Sequence, residues 1–350
     1  GSTFIYLAFA ADPSTTTPSL ANSFATEIYT GNGSNGHSIN TVGFKPDFTW
    51  IKTRTDIGGS NHFLFDSIRG ATNRIFSNLT NGEAADLDSL VSFDSNGFTV
   101  DDDISCNGSG QSIVAWNWKG GGAYVTDTSG DLNADISANQ EAGFSIIKPD
   151  VQTGVNQTIP HGLSQAPELI IQKTTLVSRN WAVYAPSIFA PSTRKLAYLN
   201  SDAAFTTGGA SAGTGYAPSV NSTFIITPGV SGVSNYDYWF GQESIIYAFH
   251  SVDGYQKIGS YIGTAAAGNF QYTGFQPSWL MVKCSSASGR NWVIVDDKRG
   301  NSDYWLYPNT SDDEEGPYSD IVFNSTGFTL GTNASYVNGS GDTYIFLAIA

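Results

Sequence analysis

Charged side chains are scarce in this chain. They make up 13% of its 350 residues, about half of the usual share for a soluble domain. Lys and Arg number 16 against 31 Asp and Glu, so the formal net charge is -15. Because phosphate groups are bound by clustered Lys and Arg, this balance argues against nucleic acid and against an anionic membrane surface as partners.

Cysteine and long apolar runs are also sparse. Cys106 and Cys284 form no C-x-x-C motif, so no disulfide framework is predicted. No apolar run approaches the roughly 18 residues of a membrane-spanning helix. A basic segment followed by an apolar stretch is missing as well, so we expect no signal peptide and no insertion into a membrane.

Glycine and asparagine take the place of the charged residues, and they mark turns. Asn-Gly pairs begin at positions 32, 35, 81, 96, 107 and 338. Such pairs accept the positive φ that two-residue hairpin turns require. Few segments show the apolar period of 3.6 residues that is typical of helices. The sequence therefore predicts an all-β fold with many short strands.

Three stretches of the chain repeat one pattern. Each contains a proline that is followed six positions later by a lysine, with a mostly apolar run between them. The pairs are Pro46 with Lys52, Pro167 with Lys173 and Pro277 with Lys283. Downstream, "SNHFLFDSIRG" at residues 60–70 resembles "RNWAVYAPSIF" at 179–189 and "RNWVIVDDKRG" at 290–300. "NGSGQSIVAW" at 107–116 likewise resembles "NGSGDTYIFL" at 338–347.

These matches predict three homologous units, at residues 23–119, 143–251 and 252–350, of which the second is divergent. Residues 12–22 and 120–142 are rich in Pro, Ser and Thr or in Gly and Asp and are predicted linkers. Residues 1–10 and 341–350 are identical at six of ten positions. We interpret residues 1–11 as the terminal strand of a preceding unit, which makes the chain a window from a longer tandem array. In the alternative interpretation, this strand completes the sheet of another unit in a circular arrangement.

Each unit is predicted to be an antiparallel β-sandwich of about 100 residues. A jelly-roll or concanavalin-like topology is favoured, although the order of the strands does not follow from the sequence.

The repeated phrases resemble a repeat domain of phage and prophage proteins that are described as virion structural or tail-fibre-like. The resemblance rests on "HGLSQAPELIIQK", "YTGFQPSWLMVK", "NWVIVDDKRG" and "NGSGDTYIFLAIA", and it covers nearly the whole chain. It implies a non-enzymatic structural protein on the surface of a virion, in a fibre, a tail appendage or a capsid decoration. It also implies other virion proteins as partners, a homotrimer by family analogy and no cofactor.

Two alternatives stay open. One is a receptor-binding module for host surface glycan. Its candidate contacts are in the aromatic stretch "SNYDYWFGQ", namely Asn235, Tyr236, Asp237, Tyr238 and Trp239, because aromatic faces stack on sugars while amides and carboxylates bind hydroxyls. The other is a polysaccharide depolymerase, which requires two carboxylates across a cleft. Nothing in the sequence singles out such a pair.

The motif Asp-x-x-Arg-Gly occurs in the first and third units and is missing from the second. Its charged residues are Asp66 with Arg69 and Asp296 with Arg299. We interpret them as ion pairs that close a turn after a buried strand, and a polar-ligand site is the alternative. The acidic runs at 101–103 and 312–315 make Ca²⁺ a further candidate ligand, because Ca²⁺ takes six to eight oxygens.

Overall fold

The computed structural model describes residues 20–54, 59–189, 195–207, 217–228, 241–332 and 334–350. This part of the chain is all-β, and its two α-helical turns are Ile104–Asn107 (α1) and Ser335–Asn338 (α2). A 3-10 turn covers Leu20–Asn22. No helix among the described residues is long and apolar enough to cross a membrane. The strand predicted at residues 1–11 and most of the first predicted linker are outside the described residues.

Residues 24–118, the first segment, form two antiparallel sheets. The strands are β1 Phe24–Thr30, β2 His37–Ile39, β3 Phe48–Thr53, β4 Phe63–Asp66, β5 Asn73–Phe76, β6 Ala84–Ala85, β7 Leu90–Asp94, β8 Gly97–Val100 and β9 Ser112–Trp118. The larger sheet has the order β1-β9-β3-β4-β5-β6, and the smaller has the order β2-β8-β7.

The second segment, residues 125–249, adds strands to the same plan. Its strands are β10 Val125–Asp127, β11 Ala134–Asn139, β12 Phe144–Pro149, β13 Thr158–Pro160, β14 Leu169–Thr174, β15 Ala182–Tyr184, β16 Lys195–Tyr198, β17 Thr206–Thr207, β18 Ser219–Val220, β19 Phe224–Ile226 and β20 Ser244–Phe249. The sheets have the orders β10-β11-β12-β20-β14-β15-β16-β17 and β13-β19-β18.

The stretch 120–142, predicted as a linker, contributes two of these strands. All six residues of β11 pair with β12, and Ala134 and Ile136 of β11 enter the core of the second segment. The many Gly and Asp residues around this strand make its short alternating apolar pattern difficult to recognise in the sequence. The strand itself covers one edge of the core.

Among the described residues, the third segment, residues 256–349, contains the fewest strands. They are β21 Gln256–Ile262, β22 Asn269–Tyr272, β23 Trp279–Cys284, β24 Val293–Asp296, β25 Ile321–Asn324, β26 Gly327–Leu330 and β27 Thr343–Ile349. The sheets have the orders β21-β27-β23-β24 and β22-β26-β25.

The long strands β9, β20 and β27 give the three segments a common register. Their last residues lie opposite Phe48, Leu169 and Trp279, respectively. We call positions equivalent when they are reached from these three residues by the same counted pairings. On this basis Lys52, Lys173 and Lys283 are equivalent, as are Asp66, Ala185 and Asp296.

The larger sheets of the three segments pack against one another. Each segment has its own apolar cluster between its two sheets. A fourth cluster, which we call the central cluster, takes residues from all three larger sheets, among them Trp116, Tyr247 and Leu347. Strands β3, β14 and β23 are therefore buried at every position, because both of their faces are covered.

Candidate functional site

Each repeat contains an asparagine that is followed by an aromatic residue, in Asn61-His62, Asn180-Trp181 and Asn291-Trp292. This asparagine forms a hydrogen bond with a second asparagine. Asn78 Nδ2 donates to Asn61 Oδ1 at 2.8 Å, and the backbone N–H of His62 donates to Asn78 Oδ1 at 3.1 Å. The second and third segments repeat this pair with the same distance of 2.8 Å, in Asn180 with Asn200 and in Asn291 with Asn309. The pair fixes the aromatic residue that follows the first asparagine.

That aromatic residue reaches into the neighbouring segment. Trp181 Nε1 donates to the carbonyl of Phe76 at 2.7 Å, and Trp292 Nε1 donates to the carbonyl of Tyr198 at 2.9 Å. Both donors and both acceptors occupy equivalent positions. The second segment therefore contacts the first in the same way as the third contacts the second.

His62 holds the equivalent position in the first segment. Its Nδ1 accepts a hydrogen bond from Trp50 Nε1 at 2.9 Å, so its proton is on Nε2. The His62 ring lies beside the carbonyl of Tyr307 in the third segment, although Nε2 makes no hydrogen bond of normal geometry. Burial, with the nearby cations of Lys52 and Arg299, lowers the pKa of His62 well below its ordinary value. The ring is therefore neutral and acts as a smaller aromatic residue in the tryptophan position.

A backbone hydrogen bond repeats three times between segments. The N–H of Glu83 donates to the carbonyl of Thr175 at 2.6 Å. The equivalent bonds run from Phe205 to Ser285 at 3.0 Å and from Glu314 to Arg54 at 3.1 Å. The first segment thus donates to the second, the second to the third and the third to the first. Head-to-tail contacts of one kind that return to their start form a closed ring.

The Asp-x-x-Arg pairs of the first and third segments lie at these contacts between segments. Arg69 Nε is 2.5 Å from Asp66 Oδ2, and Arg299 Nε is 2.7 Å from Asp296 Oδ2. Both carboxylates are fully buried. A second carboxylate completes each site, with Glu83 at 3.2 Å from Arg69 and Glu314 at 3.0 Å from Arg299. A buried charge of this kind is tolerated because its partners satisfy it.

Each of the two aspartates also accepts a hydrogen bond from another segment. Tyr247 Oη donates to Asp66 Oδ2 at 2.8 Å, and Trp116 Nε1 donates to Asp296 Oδ2 at 2.9 Å. Burial and the adjacent carboxylate raise the pKa of Tyr247 well above its ordinary value, so the phenol keeps its proton and remains a donor. Both motifs therefore join two segments in addition to closing a turn.

The contact between the second and third segments has neither the acceptor nor the donor of this hydrogen bond. Ala185 is equivalent to the two aspartates, and Leu347 is equivalent to the donors Trp116 and Tyr247. Both residues belong to the apolar central cluster. An acceptor and its donor are thus replaced together, which leaves neither a carboxylate nor a polar hydrogen unpaired.

The three lysines of the Pro-x₅-Lys motif are fully buried beside the same contacts. Lys52 Nζ and Lys173 Nζ each donate to the next residue's carbonyl, at 2.9 and 2.8 Å. Lys283 Nζ donates to the carbonyls of Asp202 and Arg290. Burial lowers the pKa of these amines to about 8, 7 and 8, in chain order.

The acidic runs bind backbone and side-chain donors of the protein itself. Asp103 accepts from the first turn of α1, and Asp101 accepts from the N–H of Gly36 at 2.7 Å. Glu314 pairs with Arg54 at 2.6 Å, and Glu315 accepts from Tyr307 at 2.7 Å. Among the described residues, no group of three His, Cys, Asp or Glu side chains is placed to hold a metal ion.

The predicted glycan contacts, Asn235, Tyr236, Asp237, Tyr238 and Trp239, are outside the described residues. The sequence prediction missed the second asparagine of each pair. A signal for it exists, because the triplets Phe-Ser-Asn, Tyr-Leu-Asn and Tyr-Pro-Asn end at Asn78, Asn200 and Asn309. The aromatic residue of each triplet supplies the carbonyl that faces the neighbouring segment.

Comparison with known proteins adds one family. No curated protein and no solved structure matches the chain. A family model described as a domain of unknown function, DUF7483, matches residues 19–350. This range takes in all three segments, so one family domain corresponds to the three together and not to a single repeat. The chain therefore belongs to the DUF7483 family.

Proposed function

We propose that the three segments are homologous β-sandwich units of jelly-roll or concanavalin-like type, closed around a pseudo-threefold axis. The backbone hydrogen bond that recurs at all three contacts supports this arrangement, because its direction is the same each time. The shared central cluster supports it as well. A chain built in this way is a single rigid body and not a flexible string of domains.

We further propose that this body is a non-enzymatic structural part of a virion, in a fibre, a tail appendage or a capsid decoration. The observation that carries the proposal is the closed ring of contacts. Its buried polar side chains are used to hold segments together. Such a body suits a load-bearing or surface-covering role, and the resemblance of the repeats to tail-fibre-like proteins is the reason for placing it on a virion.

The test is cryo-electron microscopy of purified particles of the virus that encodes the chain. The proposal expects density for one pseudo-threefold body per chain at a defined position on the outer surface of the particle. Mass spectrometry of the same particles serves as the control for composition. Particles that contain no peptides of this chain would overturn the proposed location.

The homotrimer expected from family analogy is a separate question, since one chain already closes a threefold ring. Sedimentation velocity of the purified chain distinguishes a species of 37.3 kDa from one three times heavier. A trimer would place three such bodies side by side. A monomer would mean that the threefold arrangement is complete within one chain.

A further inference from the structure

The smaller sheet of the third segment has an exposed aromatic face. Phe270 and Tyr272 of β22 alternate with inward-facing residues and are 45% and 68% exposed. Thr329 lies opposite Phe270, with Val322 beyond it. Gly327 lies opposite Tyr272, with Asn324 beyond it. We call these side chains, across three strands, the β22 face.

Gly327 makes this face flat next to the rings. A Cβ atom at this position would be 3.0 Å from the ring of Phe270 and 2.0 Å from the carbonyl of Gln271. The end of the Phe270 ring therefore reaches across to the glycine of the neighbouring strand. The tip of the ring lies beside the glycine, and the residue stays 45% exposed.

The first segment provides an internal comparison. Gly97 is equivalent to Gly327, since a Cβ there would approach the carbonyl of Ile39 to 1.9 Å. When positions are counted from Gly97 and Gly327, Ser38 and Asn40 are equivalent to Phe270 and Tyr272. Asp94 stands in the place of Asn324, where it accepts hydrogen bonds from Ser92 and Thr99. The third segment has thus replaced two small polar residues with aromatic rings and a carboxylate with an amide.

The size of the β22 face argues against a protein partner. Two aromatic rings and a valine, each partly exposed, offer on the order of a few hundred Å² of apolar surface. A stable protein interface buries about 800 Å² on each partner, of which a little over half is apolar, and adds a rim of polar contacts. The face is therefore large enough for one or two sugar rings and too small for a second copy of the chain.

We propose that the β22 face binds a neutral polysaccharide, with pyranose rings stacked on Phe270 and Tyr272. An amide in place of the carboxylate suits an uncharged ligand in a chain of net charge -15. Asn324 offers its Oδ1 to a sugar hydroxyl, because its Nδ2 already donates to the carbonyl of Val322 at 3.1 Å. Thr329 Oγ1 accepts from Asn324 Nδ2 at 2.8 Å. A hydroxyl that accepts one hydrogen bond keeps its own proton for another acceptor. This inference is independent of the virion role, because it rests on one exposed sheet and not on the contacts between segments.

The test applies the intact chain to an array of neutral hexopyranose oligosaccharides, namely glucans, mannans and galactans. Phe270→Ser with Tyr272→Asn gives the third segment the residues of the first and removes both rings. Ser38→Ala with Asn40→Ala is the matched control on the equivalent face. We expect the intact chain and the control to bind the same oligosaccharide, and the double ring variant to bind it about tenfold more weakly or worse.

Urea unfolding checks that both variants keep the stability of the intact chain, as expected for exposed positions. Three results would overturn the proposal. The first is that the intact chain binds no oligosaccharide on the array. The second is that the ring variant binds as well as the control. The third is that removal of the rings changes the sedimentation coefficient. The last result would identify the face as a contact between copies of the chain.

Discussion

Single hydrogen bonds between segments are expected to contribute measurably to stability. Trp292→Phe keeps an aromatic ring but removes the N–H that binds the carbonyl of Tyr198. The Tyr198 carbonyl keeps only the N–H of Ser201, at 3.2 Å, so the free energy of unfolding should fall by about 0.5–1.5 kcal/mol. Trp305→Phe is the control, because Trp305 Nε1 is buried among the described residues without a hydrogen-bond partner. Equal losses in the two variants, measured by urea unfolding, would contradict the role of the Trp292 bond.

The buried ion pairs should show strong coupling between their members. Asp66→Ala leaves the guanidinium of Arg69 buried without its main carboxylate, and we expect a loss of about 3–5 kcal/mol in unfolding free energy. The second segment has Ala185 and Ile188 at the equivalent positions. Asp66→Ala with Arg69→Ile copies this apolar solution and should lose less than Asp66→Ala alone. Tyr247 loses its acceptor in both variants, so the difference between them reports on the guanidinium. A double variant that is less stable than the single variant would show that the two residues act independently.

Lys173 should make stability depend on pH. Burial lowers its pKa to about 7, whereas in the unfolded chain the amine has its ordinary pKa of 10.5. The unfolded state therefore binds more protons between these values, and stability rises with pH there by up to about 1.4 kcal/mol per unit. Lys173→Met should remove this part of the slope. Urea unfolding at about pH 7, 8 and 9.5 measures it, with Lys119→Met as the control for loss of a surface cation. Identical slopes in the parent chain and Lys173→Met would refute the prediction.

At the scale of the element, β11 is the strand that composition hides. Ile136 lies in the core of the second segment, and Ile136→Ala should cost about 2–4 kcal/mol of unfolding free energy. Val125 of the neighbouring β10 is 70% exposed, so Val125→Ala should change it by less than about 0.5 kcal/mol. In a hydrogen-exchange experiment, the amides of β11 should be protected to the same degree as those of β12. Rapid exchange throughout residues 134–139 would mean that this stretch behaves as the predicted linker.

Most strands could be predicted because their signals are local. The turn pairs, the repeated prolines and the alternating apolar residues all act over a few positions. The nearly continuous apolar run at residues 61–66 is also a local signal, because it is typical of a strand that is covered on both faces. What covers its second face was not predictable, because that surface comes from residues more than a hundred positions away. The Asp-x-x-Arg pairs were recognisable as a motif, but their contacts with Tyr247 and Trp116 depend on how the segments close.

The whole molecule should unfold as one cooperative unit. The central cluster draws residues from all three larger sheets, so no segment keeps its packed surface when another opens. Differential scanning calorimetry should show one transition whose calorimetric and van't Hoff enthalpies agree. A variant in the core of one segment, such as Ile136→Ala, should move this single transition to lower temperature and should not split it. Three separate transitions would be the behaviour of a tandem array whose units fold on their own.

In the proposed arrangement of three homologous units in one chain, the apolar residues Ala185 and Leu347 illustrate what the covalent link between the units permits. In a homotrimer encoded by a single repeat, every substitution appears at three contacts at once, and a carboxylate cannot be lost from one of them alone. Duplication of the repeat within one gene removes this constraint. Each contact can then change independently, so one contact can become apolar while the other two keep their buried carboxylates. In the same way, one outer sheet can acquire aromatic rings that the others lack.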